Sequence, residues 1–157
     1  MAIYLFGDVG PDMALDVCRR LDKNPKRCNF FLNSFGGTLT DGFAIYDKIQ
    51  SVPNSIITGT GVVASAATVI LQAAKIRRAT PTTQFMFHLV EFSELKDNKD
   101  FKPHYDVVIF ELFKNRGIKK VAYEIALNRK IFGVETALKL GFIDEIYDGR
   151  VRARPGI

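Results

Sequence analysis

Ser65 is the residue whose surroundings best suit nucleophilic chemistry. Residues 59–67 read Gly-Thr-Gly-Val-Val-Ala-Ser-Ala-Ala, which places Ser65 after a predicted strand and at the start of a buried, small-residue helix. The N–H groups and the positive dipole end of a helix start favour negative charge. Ser65 is therefore either a nucleophile, with the N–H of Ala66 stabilising an oxyanion, or the N-cap of that helix.

A serine hydroxyl needs a base to accept its proton, and histidine suits that role near neutral pH. The chain contains two histidines. His88 ends the apolar strand Phe-Met-Phe at residues 85–87, whereas His104 follows Pro103 in polar surroundings. We predict that a general base, if there is one, is His88. A plain hydrogen-bonded role for this histidine remains the alternative.

A third candidate is the glycine-containing loop Asn-Ser-Phe-Gly-Gly at residues 33–37, directly after the second predicted strand. Two adjacent glycines allow positive φ and bring backbone N–H groups close to a ligand. The alternative is a tight strand-to-helix turn without a ligand. The pattern GxGxxG is absent, which excludes a typical dinucleotide loop.

These candidates all follow strands in an alternating pattern of strand and helix signals. Strands are predicted at 3–6, 28–32, 56–58, 76–80 and 84–88, and helices at 14–21, 39–49 and 64–74. This order predicts an α/β fold with a mainly parallel sheet, in which chemistry collects at the carboxyl ends of strands. Residues 91–102 are predicted as a loop, 105–115, 118–125 and 134–140 as helices, and 142–147 as a strand.

Composition limits the function classes. With 157 residues, 47% hydrophobic and 25% charged, the chain suits one globular domain. A net charge of +5 gives little support for nucleic-acid binding. No apolar stretch is long enough to span a bilayer and no signal peptide is evident, so we expect a cytoplasmic protein without a membrane partner. Cys18 and Cys28 are predicted to be free thiols, and no metal site is expected.

The order of five segments resembles the Clp protease proteolytic subunit (ClpP) family of serine peptidases. The segments are Phe-Leu-Asn-Ser-Phe-Gly-Gly at 31–37, Asp-Gly-Phe-Ala-Ile-Tyr-Asp at 41–47, Gly-Val-Val-Ala-Ser at 61–65, residues 78–88, and Ala-Leu-Lys-Leu-Gly-Phe-Ile-Asp at 137–144. The resemblance implies a ClpP/crotonase-like fold over 1–148, with a protruding handle region at about 89–116. Residues 149–157, which contain three arginines, are predicted to form a solvated basic tail.

The resemblance also implies roles for individual residues. Ser65 matches the nucleophile and His88 the general base, while Gly37 and Ala66 match the donors of the oxyanion hole. The third catalytic position, usually aspartate, falls on Arg129, which cannot accept a hydrogen bond from imidazole. The adjacent Asn128 could accept this hydrogen bond through its amide oxygen, as a weaker, uncharged partner. The alternative is that Asn128 is a surface residue without a catalytic role. Glu124, one helical turn earlier, is a less favoured substitute.

Other positions depart from the family pattern. Phe35 replaces the loop proline, Ala67 replaces a glycine after the nucleophile, and Leu-Val-Glu-Phe-Ser-Glu at 89–94 replaces the Gln-Pro and glycine-rich strand. The family's N-terminal segment, which contacts the AAA+ unfoldase, has no counterpart before the first strand. On this expectation an AAA+ unfoldase is a less favoured partner than other copies of the chain.

The family resemblance implies a serine endopeptidase that hydrolyses unfolded peptides through an acyl-enzyme inside a homo-oligomeric ring, single or double. It implies no cofactor, since ATP would belong to an unfoldase. The first alternative is a catalytically weak or inactive ClpP-like structural subunit, which the missing aspartate favours. A crotonase-type acyl-CoA enzyme is the second, because that similar fold also builds an oxyanion hole from two N–H groups.

Overall fold

The computed structural model describes residues 1–89 and 100–153. The strands are β1 (Ala2–Phe6), β2 (Arg27–Ser34), β3 (Asn54–Ala64), β4 (Ile76–Ala79), β5 (Gln84–Met86), β6 (Ile131–Gly133), β7 (Glu145–Tyr147) and β8 (Val151–Ala153). The helices are α1 (Pro11–Leu21), α2 (Leu39–Gln50), α3 (Ala66–Leu71), α4 (Phe101–Asn115), α5 (Lys120–Arg129) and α6 (Val134–Leu140).

The strands form one mainly parallel sheet in the order β1-β2-β3-β4-β7-β8. The long strand β3 pairs with a different strand along each of its halves. Its first half pairs with β4 through residues 56–59, and its second half pairs with β5 through residues 62–64. The short strands β6 and β8 run antiparallel to β5 and β7. The predicted α/β fold with a mainly parallel sheet is confirmed.

The core lies between one face of the sheet and the helices. Strand β2 alternates buried and less buried residues along its length, as a half-covered strand does. All six residues of α3 are buried, which fits their small and apolar side chains. An aromatic cluster joins β5 and the residue after it to α4, α5, β6 and the segment after α6; its members are Phe85, Phe87, Phe113, Tyr123, Phe132 and Phe142.

Several predicted boundaries are wrong. Strand β3 continues to Ala64 instead of ending at residue 58, because Gly61 adopts a positive φ of 69° and Asn33 Oδ1 accepts a hydrogen bond from Val62 N at 3.2 Å. The following helix is correspondingly short. Helix α4 begins at Phe101, inside the segment predicted as a loop, and the rest of that loop falls mainly on residues 91–99, outside the described part of the chain.

Strands β6 and β8 have no counterpart in the sequence prediction. Each spans three residues and depends on pairing with a distant strand, which local sequence patterns do not encode. Strand β8 lies within residues 149–157, where we predicted a solvated tail. Gly141 ends α6 with a φ of 86°, as its position predicted.

The two cysteines are free, as predicted; Cys28 is buried and Cys18 half-buried. Burial raises the pKa of the Cys28 thiol, which disfavours its reactive thiolate form. Across residues 1–89 and 100–153, we find no helix with the length and hydropathy needed to cross a membrane.

Candidate active site

Ser65 occupies a constrained turn between β3 and α3. Its backbone has φ 53° and ψ −126°, a region that residues other than glycine rarely adopt. The surroundings hold it there. Ser65 N donates to Met86 O at 2.9 Å, and Ser65 O accepts from Thr68 N at 2.9 Å and from Thr68 Oγ1 at 2.6 Å. Ser65 stands at the N-cap position of α3, yet its side chain makes no capping hydrogen bond, so the N-cap interpretation lacks its defining contact.

Pairing of β3 with β5 brings His88 to the same end of the sheet. Ala64 is the register partner of Met86, so the residues that follow both strands emerge side by side at their carboxyl ends. Ser65 comes directly after β3, and His88 comes two residues after β5. Both side chains are partly exposed. Reactive groups in parallel sheets typically occupy this location.

The imidazole of His88 is held by a backbone carbonyl. His88 Nδ1 lies 2.7 Å from Leu89 O. Because a carbonyl oxygen can only accept, this contact places a proton on Nδ1 and leaves Nε2 of the neutral ring as the acceptor. This tautomer, with the lone pair on Nε2, is the one in which Nε2 can act as a general base.

Ser65 and His88 line one small cavity. The cavity has a volume of about 10 Å³, and its other walls come from Leu39, Ala66, Val69, Phe87 and Ile109. The site combines two polar, partly exposed side chains with mainly apolar walls. The structure therefore brings the two predicted catalytic side chains to a shared space.

The loop at residues 33–37 packs directly against Ser65. Gly36 is buried with a φ of 104°, and a Cβ atom there would lie 2.6 Å from Ser65 Cβ and 3.1 Å from Ala66 N. Ser34 Oγ accepts a hydrogen bond from Gly36 N at 3.0 Å and so fixes the turn. Only glycine fits at position 36, so close packing explains why the first residue of the Gly-Gly pair is glycine.

The two predicted oxyanion donors are Gly37, which follows Gly36, and Ala66, which follows Ser65. Gly37 is exposed with a φ of 146°, and a Cβ there would overlap the backbone of Val9. Thr38 N donates to Val9 O at 2.8 Å, which anchors the loop to the β1–α1 connection. Ala66 is the first residue of α3, and the first N–H groups of a helix have no partner within it. Both donor roles stay predictions.

Asn128 is not among the described residues that line the cavity shared by Ser65 and His88. Asn128 and Arg129 are exposed in the last turn of α5, and Glu124 is exposed one turn earlier. Glu124 is the acceptor of a 3.8 Å ion pair with Lys120. Leu89 O, rather than one of these side chains, lies next to Nδ1 of His88. The third catalytic role assigned to Asn128 stays a prediction.

Sequence reasoning missed a buried network behind the site. Arg77, 2% exposed, forms a bidentate ion pair with Asp144 through Nε at 3.0 Å and through a second, shorter contact from Nη2, and Arg77 Nη1 donates to Gln72 Oε1 at 2.6 Å. Burial raises the pKa of Asp144, but the hydrogen bonds and charge of Arg77 lower it by more, so it lies below its ordinary value. Gln72 directly follows α3, so this network fixes the far end of the helix that begins after Ser65.

A metal has no evident place in this arrangement. Among the residues that the structure describes, no three His, Cys, Asp or Glu side chains converge as a metal site would require. The available chemistry is that of a hydroxyl, an imidazole and backbone donors.

Comparisons with known proteins agree with the fold described above. ClpP1 from Listeria monocytogenes superimposes with a TM-score of 0.81 at 24% identity, over 95% of this chain and 92% of that one. The ClpP protease catalytic domain from Plasmodium falciparum gives a TM-score of 0.81 at 22% identity, over 99% of this chain and 90% of that one. At these identities the two structures establish the fold alone. The sequence model of the Clp protease family matches residues 2–150. This chain belongs to the Clp protease family.

Proposed function

We propose that this chain is a serine endopeptidase that hydrolyses unfolded peptides through an acyl-enzyme. The observation that carries the proposal is the convergence of Ser65 and His88 on one cavity, with Ser65 held at positive φ and its hydroxyl not used as a helix cap. Strained backbone is concentrated at functional sites because it destabilises the fold unless the surroundings enforce it.

The reaction follows from the two side chains. Ser65 Oγ adds to the peptide carbonyl carbon while His88 Nε2 accepts the hydroxyl proton. The same nitrogen then returns that proton to the departing amine, which leaves an ester on Ser65. A water molecule, deprotonated by Nε2, adds to the ester and releases the carboxylic acid. Serine and histidine are then regenerated, and no cofactor is consumed.

Backbone N–H groups would stabilise the oxyanion. In this proposal the donors are Gly37, on the loop anchored to Val9, and Ala66, at the start of α3. Fixed donors of this kind stabilise the developing charge without reorganising. The proximity of Gly36 to both Ser65 and Ala66 keeps the loop and the helix start in contact.

Asn128 would assist as an uncharged partner of the imidazole. The short contact of Nδ1 with Leu89 O already orients the ring, so any contribution from Asn128 adds to an existing restraint. Neither group carries the negative charge that stabilises an imidazolium ion. We therefore propose a slow enzyme.

A ring of identical subunits would enclose this site. Apolar side chains on α4 and α5, among them Val107 at 62% and Val121 at 66% exposure, support burial against other copies. Substrates would then have to be unfolded to reach Ser65. An AAA+ unfoldase remains a further partner to test.

A non-catalytic structural subunit is the second candidate. The positions that match the third catalytic residue favour it, because neither Asn128 nor Arg129 carries a carboxylate to stabilise an imidazolium ion. Such a subunit would share the fold and the assembly but would not form an acyl-enzyme.

A fluorophosphonate probe distinguishes these candidates. We expect the probe to modify Ser65 of the purified protein, as located by peptide mass spectrometry. Ser65→Ala should abolish modification, and His88→Ala should slow it by about 100-fold or more. Asn128→Ala should slow it by about tenfold if its amide supports the imidazole.

Ser51→Ala is the matched control, because Ser51 is an exposed serine bonded only to the end of its own helix, Lys48 O at 2.7 Å. It should react as the wild type does. A folded protein that the probe leaves unmodified would favour the structural subunit. An unchanged rate in Asn128→Ala would remove Asn128 from the mechanism.

A further inference from the structure

The cavity shared by Ser65 and His88 is almost filled by its own walls. Its volume of about 10 Å³ is room for about one water molecule. The apolar side chains around it, Leu39, Val69, Phe87 and Ile109, are each no more than 4% exposed. A substrate side chain that enters this cavity has to be no larger than a methyl group, unless the walls move.

Phe87 forms a wall that cannot easily move. Its ring lies 4.9 Å from that of Phe113, 5.0 Å from Tyr123 and 6.0 Å from Phe142, measured between centroids. Two of these neighbours, Phe113 and Phe142, are completely buried. Rotation of Phe87 away from the cavity would therefore collide with a close-packed aromatic cluster.

Val69 and Ile109 complete the walls from two helices. Val69 lies in α3, whose six residues are all buried beneath the sheet. Ile109 is the residue through which α4 reaches the cavity, and it is 3% exposed. Neighbouring positions on α4 face outward, since Val108 is 43% exposed. A change at Ile109 thus alters the cavity, whereas a change at Val108 does not.

We propose that this cavity restricts cleavage to peptides with glycine or alanine at the attacked carbonyl, and that Ile109 is the residue that sets this limit. The inference rests on the proposed function and adds a substrate class to it. Because the walls are apolar and the space is one methyl group wide, leucine and phenylalanine at that position are excluded by overlap rather than by charge.

Two peptide diphenyl phosphonates that differ only in the residue bearing phosphorus, alanine or leucine, test the proposal. Ser65 Oγ bonds to phosphorus and its proton passes to His88 Nε2. One phosphorus–phenoxide bond breaks, and the phenoxide takes that proton and leaves as phenol. We expect the alanine compound to modify Ser65 at least about tenfold faster than the leucine compound, as measured by intact mass. A single misfitting methylene changes rates by about tenfold or more, and the leucine side chain has three more carbon atoms than that of alanine.

Substitution of Ile109 tests the assignment to this residue. Ile109→Ala should reduce or reverse the preference for the alanine compound by enlarging the cavity. Ile109→Val, which removes one methylene, should shift the ratio in the same direction by less and is the variant to use if the alanine variant is unstable. Val108→Ala, a matched change on the outer side of α4, should keep the wild-type ratio.

The outcomes separate the two proposals. If the fluorophosphonate modifies Ser65 but both phosphonates react equally fast, the size limit is wrong and the serine chemistry stands. An unaltered ratio in both Ile109 variants would overturn the role of Ile109. Failure of the fluorophosphonate to modify the folded protein would overturn the proposed function, and this inference with it.

Discussion

At the scale of single residues, Gly36 packs against Ser65, the proposed nucleophile. The missing side chain at Gly36 lets the loop lie against Ser65, where a Cβ would approach Ser65 Cβ to 2.6 Å and Ala64 O to 2.9 Å. Real Cβ atoms do not come so close, and one of the approached atoms is backbone. Any larger residue must therefore push the loop away from Ser65.

We expect Gly36→Ala to slow fluorophosphonate modification of Ser65 by about tenfold or more while the protein stays folded. Gly7→Ala is its control. Gly7 has a similar positive φ of 94°, but a Cβ there meets no atom within 4 Å. Both variants carry the backbone penalty, of about 1 kcal/mol or more. A Gly36 variant that reacts as fast as the Gly7 variant would show that contact with the loop does not position Ser65.

Sequence patterns could place Ser65 and His88 at the ends of strands but could not predict their surroundings. Ser65 and His88 follow strands that the apolar pattern predicts, so their convergence at the sheet edge follows from parallel pairing. The contacts of Ser65 with Met86 O and Thr68, and of His88 with Leu89 O, involve backbone atoms, which every residue carries. The walls from Val69 and Ile109 depend on helix packing, for which these apolar residues give no specific signal.

At the scale of elements, an ion pair connects β4 to the start of β7. Besides the bidentate contact, Arg77 N donates to Asp144 Oδ2 at 2.9 Å, and Asp144 N donates to Arg77 O at 2.7 Å. Arg77 is buried, so removing its partner would leave an uncompensated charge within the core. The pair therefore specifies how these two strands align.

Asp144→Asn should lower the free energy of unfolding by about 3 kcal/mol near neutral pH, measured by urea denaturation. The control is Asp16→Asn, which breaks an exposed pair with Arg20 and should cost less than about 1 kcal/mol. A cost for Asp144→Asn as small as that of the control would contradict the proposed role of the pair.

The pH dependence has a defined sign. The folded pKa of Asp144 lies below its ordinary value of 3.8, so the stabilisation is complete above that value. It is lost as the pH falls from there through the lower folded pKa. The stability of Asp144→Asn should accordingly change less than that of the wild type over this acidic range.

Elements with a long periodic pattern were predictable, and short ones were not. The stripes of α1 and α2 and the apolar runs of β1 and β2 carry their own signal over five or more residues. Strand β6 is three residues long and exists because Phe132 aligns with Phe85 across an antiparallel pair. The extension of β3 beyond residue 58 depends likewise on a neighbour, since β5 supplies its second partner.

At the scale of the whole molecule, exposed apolar residues occur on elements beside the candidate site. Val107 of α4, Val121 of α5 and Ile131 of β6 are each more than 60% exposed. Single exposed apolar side chains are common, but several on neighbouring elements support the assembly proposed above.

We expect native mass spectrometry to show an oligomer of the wild-type chain. Val107→Glu combined with Val121→Glu should shift it toward smaller species, because burying unpaired carboxylates opposes association by several kcal/mol. Lys114→Glu, a charge change at an exposed position of the same helix, should leave the assembly largely intact. A monomeric wild type, or equal dissociation of both variants, would contradict this assignment.

The backbone of Ser65 also limits how this protein can diverge. At a φ of 53°, a β-branched side chain is strongly disfavoured, so threonine cannot readily replace serine as a hydroxyl nucleophile. Cysteine has no second γ substituent, and glycine accepts this geometry without cost. Of these two replacements, cysteine would keep a nucleophilic side chain at the proposed site, and glycine would leave a subunit without one.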